Sequence, residues 1–287
     1  VEQGFKTVVE LVLNTSRLMN AVACAGVMRR AYLEAAYYAC QREAFGNSIA
    51  SYPMVQEAVA DLLSETYAAT ASSFYLAALL DRIETGQASS DEQNVYRMLV
   101  NINKYITSIR GSEMVHRAIE VLGGNGAIET FSILPRLYRD MVVLESWEGT
   151  HNVLALQVLR DCARYRLHES FFREMGALLE QVTHPLLVES RAAAQGALQQ
   201  TAQLLQRLHS GDERFAQAHA RRFMDAAGQA AQAVLLLREA QWELDQHWHS
   251  VKPDATAHFV QRHLLPDYDA LADTGYLERI ERLMLAL

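Results

Sequence analysis

Three short stretches combine residue types that can do chemistry. The first is Trp147-Glu148-Gly149-Thr150, a carboxylate between a large aromatic and a glycine, directly before a helical pattern. A carboxylate near a helix start has a bland use, because the helix dipole favours negative charge there. It also has a chemical one. Burial beside an aromatic raises a carboxyl pKa towards the range of a general base, and the N–H groups after Gly149 could face an anionic or carbonyl oxygen. The second stretch, Arg42-Glu43-Ala44-Phe45-Gly46, reads either as a helix end capped by Gly46 or as a guanidinium and an aromatic suited to a phosphate and a flat ring. The third, Gly123-Gly124-Asn125-Gly126, holds more glycine than a helix stop requires and would let a ligand lie against bare backbone. It follows a helix, not a strand, so it is no dinucleotide fingerprint.

Other candidates are weaker. Glu113 and His116 have the Glu-x-x-His spacing of a di-iron bundle, but that site needs a second such pair and none occurs, so no metal is expected. His247 and His249 alternate at a helix end and do not share a face. His151, in the first turn of its helix, reads as a lining or capping residue and not as a second base.

Long helices must position these stretches. Apolar residues recur at helical spacing from Lys6 to Gln41, with Asn14-Thr15-Ser16 as a capping interruption, so two helices are expected to meet near Arg17. Pro53 opens a second helix running to Thr85, and Ser90 or Asp91 caps a third running to Leu122. A short helix over 134–140, a strand-like piece over 141–144 and a helix over 150–166 follow. Further helices are expected over 170–182, 185–209, 213–248 and 276–286. The fold class is therefore all-α: an antiparallel four-helix bundle over 1–166, expected to gather the three stretches, then an additional helical subdomain over 167–287.

Composition agrees. Half of the 287 residues are hydrophobic, and only 5 prolines and 14 glycines leave little room for the turns of an all-β chain. The net charge of -8 disfavours a nucleic-acid partner. Cys24, Cys40 and Cys162 are scattered through helical patterns, which suits a reducing compartment, read as cytoplasmic. No apolar run reaches the ~18 residues of a membrane span.

In combination, Arg42-x-x-Phe45-Gly46, Leu122-Gly123-Gly124-x-Gly126, Leu137-Tyr-Arg-Asp140 and Trp147-Glu-Gly-Thr150 resemble the C-terminal helical region of flavin-dependent acyl-CoA dehydrogenases. The resemblance spans roughly Gly4 to Arg166 and is nearest the AidB-like branch, whose extra helical segment would account for 167–287. It implies FAD as cofactor and an acyl-CoA as substrate. Glu148 would remove the α-proton, with hydride passing to flavin. Its own backbone N–H and a flavin hydroxyl would steady the thioester carbonyl. Arg42, Phe45, Gly123 and Gly124 would contact the FAD of a neighbouring subunit, Thr150 and Asn152 the FAD of their own, and Arg17 the acyl-CoA. It further implies a homodimer or homotetramer and an electron-transfer flavoprotein or similar acceptor.

The alternative is an AidB-like stress-response or DNA-associated protein with little dehydrogenase activity, its tail an assembly module. Departures from the family pattern lie at Tyr52-Pro53, Glu120 and Asn14, which bear on substrate preference. The family's N-terminal helical domain and middle β-domain have no counterpart in these residues. The chain thus reads as part of an enzyme, and alone it is expected neither to retain FAD nor to act on acyl-CoA.

Overall fold

A computed structural model describes residues 12–286. The first helix, α1 (Asn14–Gln41), is continuous through Arg17. The α-helix begins at Asn14, within the stretch expected to hold a junction, with Leu13 at the N-cap position and Asn14 turned inward to the Arg17 guanidinium. The expected helical residues 6–11 lie outside the described ones. A hairpin of β1 (Glu43–Ala44) and β2 (Asn47–Ser48) leads into α2 (Pro53–Glu84) and α3 (Ser90–Leu122). The cap of α3 is one residue earlier than expected: Ser89 and Glu92 form a reciprocal capping box.

Next come α4 (Leu134–Ser146), α5 (His151–Tyr165) and α6 (Leu167–Glu180), then α7 (Val188–Ser210), α8 (Glu213–Asp245), α9 (Lys252–His263) and α10 (Tyr276–Met284). Residues 141–144 are helical, not strand-like: Met141 and Leu144 share the buried face of α4 while Val142 and Val143 face outward. The expected helix over 213–248 ends at Asp245, and His247 takes a positive φ of 57°. Helix α9 was not anticipated.

Helices α1, α2 and α3 pack on one another, with α4 and α5 against α3. The two hydrophobic clusters do not follow the two halves of the sequence. One joins Leu99, Ile102 and Ile106 of α3 to Phe171, Phe223 and Val234 of the later helices. The other joins Met28 and Leu62 to Ile280 and Leu283 of α10. Gly228 allows this, since a Cβ there would meet the Ile106 Cβ at 3.1 Å. Polar contacts fasten the remaining tail. Fully buried Asp61 of α2 meets His258 of α9 at 2.8 Å and Arg117 and Arg262 at 2.5 Å, and Glu65 meets His263 at 2.5 Å.

Because α3 is surrounded, its polar residues Asn101, Asn103, Lys104, Thr107 and Ser108 are buried and must find partners inside. Asn103 donates to Ser73 at 3.0 Å and Thr107 to the Asn103 carbonyl at 2.7 Å. The partners of Asn101 and Lys104 belong to the candidate site.

Candidate functional site

Glu148 sits in the turn between α4 and α5, with φ of 59°, followed by Gly149 at 103°. A left-handed glutamate is costly and persists only where its surroundings hold it. The hold comes from behind. Helix α4 ends here with unpaired carbonyls, which buried side chains of α1 and α3 collect. Asn20 donates to the Leu144 carbonyl at 3.0 Å. The Lys104 ammonium donates to the carbonyls of Glu145 at 2.9 Å and Gly149 at 3.1 Å, one on each side of Glu148. Arg17 Nε donates to the Glu148 carbonyl itself at 3.0 Å, and its Nη1 to Asn101 Oδ1 at 2.6 Å.

The side-chain environment differs from expectation. Trp147 is 51% exposed and Glu148 half-buried, so these residues do not supply the aromatic enclosure read from the sequence. Arg17 is 3% exposed and turned to the back of the turn. Burial lowers its pKa, with Glu148 and then Asp161 opposing. Ser112 donates to the Glu145 carboxylate, whose other oxygen is 3.9 Å from His151 Nε2. That ring lies edge-on to Tyr105, 5.3 Å between centroids, with Nε2 3.3 Å from Ser108 Oγ. Burial, then Lys104 and Arg221, push His151 down to about 4. Thr150 is the N-cap of α5 without a side-chain cap bond, and both Thr150 and Asn152 are exposed. Asn152 also lines a depression of ≈ 330 Å³ against α8.

The other two stretches meet at the opposite end. Arg42 is exposed and follows α1 directly. Gly46 is not its helix cap: Phe45, φ 54°, and Gly46, φ 88°, form a two-residue hairpin turn of the type I′ pattern. Phe45 stands 96% exposed at the tip. Arg42 shares a cavity of ≈ 360 Å³ with Tyr38, Glu120, Gly123 and Gly124. Gly123 has φ of 61°, and the Cβ positions of Gly123 and Gly124 face open space. Asn125 donates to the Tyr38 hydroxyl at 3.0 Å, tying the glycine loop to α1. At ~1.5 Å per residue, Arg17 and Arg42 are about 37 Å apart along α1. One chain thus unites two of the three stretches and leaves Glu148 at the far end. The separation is the physical consequence of α1 being unbroken from Asn14 to Gln41.

Sequence reasoning missed Lys104 and Asn20. No sequence signal set Lys104 apart, because α3 also carries Asn101, Asn103, Thr107, Ser108 and Arg110 around it. Glu113 is engaged by Arg110 at 2.7 Å, and His116 lies 6.2 Å from the Tyr138 ring.

The family profile "Acyl-CoA dehydrogenase, C-terminal domain" matches residues 2–162. The chain belongs to this family. It is 33% identical over 200 residues to Acyl-CoA dehydrogenase family member 11 of Caenorhabditis elegans, covering 68% of this chain and 32% of that protein. It is 38% identical over 145 residues to the putative acyl-CoA dehydrogenase AidB of Escherichia coli, covering 50% and 26%. The crystal structure of C. elegans ACDH-11 with C11-CoA superposes with a TM-score of 0.82 at 27% identity, over 90% of this chain and 44% of that one. The chain thus spans about a quarter to a third of the length of these curated relatives, and the likeness to ACDH-11 includes most of the residues after 166. No described helix is long and apolar enough to cross a membrane.

Proposed function

We propose that this chain supplies the base-bearing helical region of an FAD-dependent acyl-CoA dehydrogenase. The observation that carries the reading is the Glu148 turn: a left-handed glutamate with its backbone fixed by buried donors and its side chain half-open. A base that must reach one C–H needs that combination of fixed position and access.

The surfaces suit a flavin dinucleotide at both ends. The exposed start of α5 at Thr150 and Asn152 offers N–H groups to a phosphate. Gly123 and Gly124 leave room for a flat group beside Arg42, with Phe45 projecting nearby. The ends are too far apart to serve one flavin within one chain. Two flavins touched by each chain, its own and a neighbour's, mean a homodimer or homotetramer.

FAD, when bound, supplies the hydride acceptor for the β-carbon. The Glu148 carboxylate takes the α-proton of the acyl thioester, and its backbone N–H steadies the thioester carbonyl as charge gathers there. Arg17 serves the acyl-CoA through the turn, holding the Glu148 carbonyl from behind. The substrate class is an acyl-CoA, in line with the C11-CoA of the ACDH-11 structure. An electron-transfer flavoprotein or similar acceptor then reoxidises the flavin. These 287 residues alone hold neither FAD nor activity in this reading.

The test is Glu148→Gln in the full-length flavoprotein. FAD content should be unchanged while anaerobic flavin reduction by acyl-CoA falls by at least ~100-fold, the range of lost general-base catalysis. Reduction at the wild-type rate would place the base elsewhere.

A further inference from the structure

Lys104 is a fully buried ammonium on the central helix, and its two bonds bracket the glutamate turn. We infer that Lys104 is a positioning residue for the dehydrogenation, clamping the turn so that the Glu148 carboxylate keeps its place through the reaction. The inference rests on the reading of Glu148 as the base. Lys104 touches no reacting atom, so it acts through the turn. A lysine at a helix C-terminus often satisfies the last carbonyls, and the Glu145 bond alone would be that. The second bond is different. It reaches past Trp147 and Glu148 to the Gly149 carbonyl, at the entry to α5, and fixes the chain on both sides of two successive left-handed residues. Arg17 then fixes the carbonyl between them.

The groups facing Lys104 are Arg17 and Cys24 on α1, Glu145 on α4, Glu148 in the turn and His151 on α5. Burial pushes the ammonium down; Cys24 opposes, Arg17 adds to the fall, and Glu145 and Glu148 oppose, leaving it at about 8. Above that pH the amine still has hydrogens, but the bonds lose their charge assistance. The clamp therefore weakens in the mildly alkaline range.

The experiment uses the full-length flavoprotein with Lys104→Met and Glu148→Gln beside the wild type. Flavin reduction by an acyl-CoA is followed against pH, and hydrogen exchange is read over 144–150. The wild-type rate should decline on the alkaline side around pH 8. The Met variant should keep FAD, bind acyl-CoA within a few-fold, reduce flavin roughly 10–100-fold more slowly and lack that decline. Its turn amides should exchange at least about tenfold faster. Wild-type reduction rates in the variant, or a slow variant with the alkaline decline intact, would overturn the inference. Should Lys104→Met not fold, wild-type exchange decides. Protection over 147–150 must fall between pH 7 and 9 relative to the buried core of α8, and unchanged relative protection refutes the clamp. Full activity in Glu148→Gln would instead refute the base, and exchange would still report on the clamp.

Discussion

Arg17 and Arg42 lie near the two ends of the same helix and meet opposite surroundings. Arg17 is buried, with Nε and Nη1 on a carbonyl and an amide of its own chain. Arg42 is exposed beside a cavity walled by glycine backbone, with a fully projecting phenylalanine three residues on. At the Glu148 end the chain satisfies its own polar groups and leaves one carboxylate half-open. At the hairpin end it leaves backbone bare and an aromatic without cover. The first end is built to hold a group still, and the second to receive something from outside. In the oligomeric dehydrogenase proposed above these would be complementary: the stiff end would serve the chain's own reaction, and the open end its neighbour's.

The contrast breaks most readily at Arg17. Replacing it with alanine leaves Asn101 and the Glu148 carbonyl without their donor in a closed interior and opens a cavity. Each orphaned group and the void add up, and a loss of about 3 kcal/mol is expected. Arg42→Ala, at an exposed position, should change stability by less than about 0.5 kcal/mol. Thermal unfolding of both variants checks this. Equal losses would mean that the ends are not mechanically different.

A sharper contrast lies within one loop. A Cβ on Gly126 would meet the Ile119 carbonyl oxygen at 2.5 Å and its Cα at 2.9 Å, backbone atoms that cannot swing away. Gly126→Ala should therefore cost about 2 kcal/mol from overpacking. Gly124 has open space at its Cβ position and no positive φ, so Gly124→Ala should leave stability unchanged while weakening FAD retention in the oligomer. Denaturant titration and flavin content after dialysis separate the two. Flavin loss in Gly126→Ala without destabilisation would reverse the assignments.

What could be read beforehand follows from which forces leave a trace in composition. The long helices were legible because each buries a periodic apolar face, and Glu148, Arg42, Phe45 and the glycines stood out as candidates because their types are odd for their places. Helix α9 was not legible. Its apolar residues Ala255, Phe259 and Val260 are few and stand among Pro253, charges and histidines, and the helix is also fastened by His258 and His263 to Asp61 and Glu65, partners nearly two hundred residues away. Residues 141–144 misled because adjacent valines suggest a strand, whereas only every third residue of the segment faces the core. Lys104 was invisible for a related reason: a buried charge is defined by the carbonyls that surround it, and those come from another element. The separation of the two ends was also hidden, because motif order says nothing about distance until α1 is known to be unbroken.

Phe45 gives the finest test of the open end. Type I′ turns favour asparagine and glycine at the two central positions, because both need positive φ, and an aromatic there is disfavoured. Phe45 holds φ of 54° with its ring almost wholly in solvent, 6.5 Å from Tyr52 in an edge arrangement. Among the described residues none buries the ring, so the positive φ carries a local cost that burial does not offset. Phe45→Asn should then stabilise the isolated chain by about 0.5–1 kcal/mol by relieving the turn. In the assembled flavoprotein the same change should loosen FAD if Phe45 reaches the neighbour's flavin as proposed. Chemical denaturation of the chain and flavin release from the oligomer are the two measurements, and they must move in opposite directions. A variant that loses stability in both settings would show Phe45 to be a structural residue of its own hairpin, and the open end would then rest on Arg42 and the glycines alone.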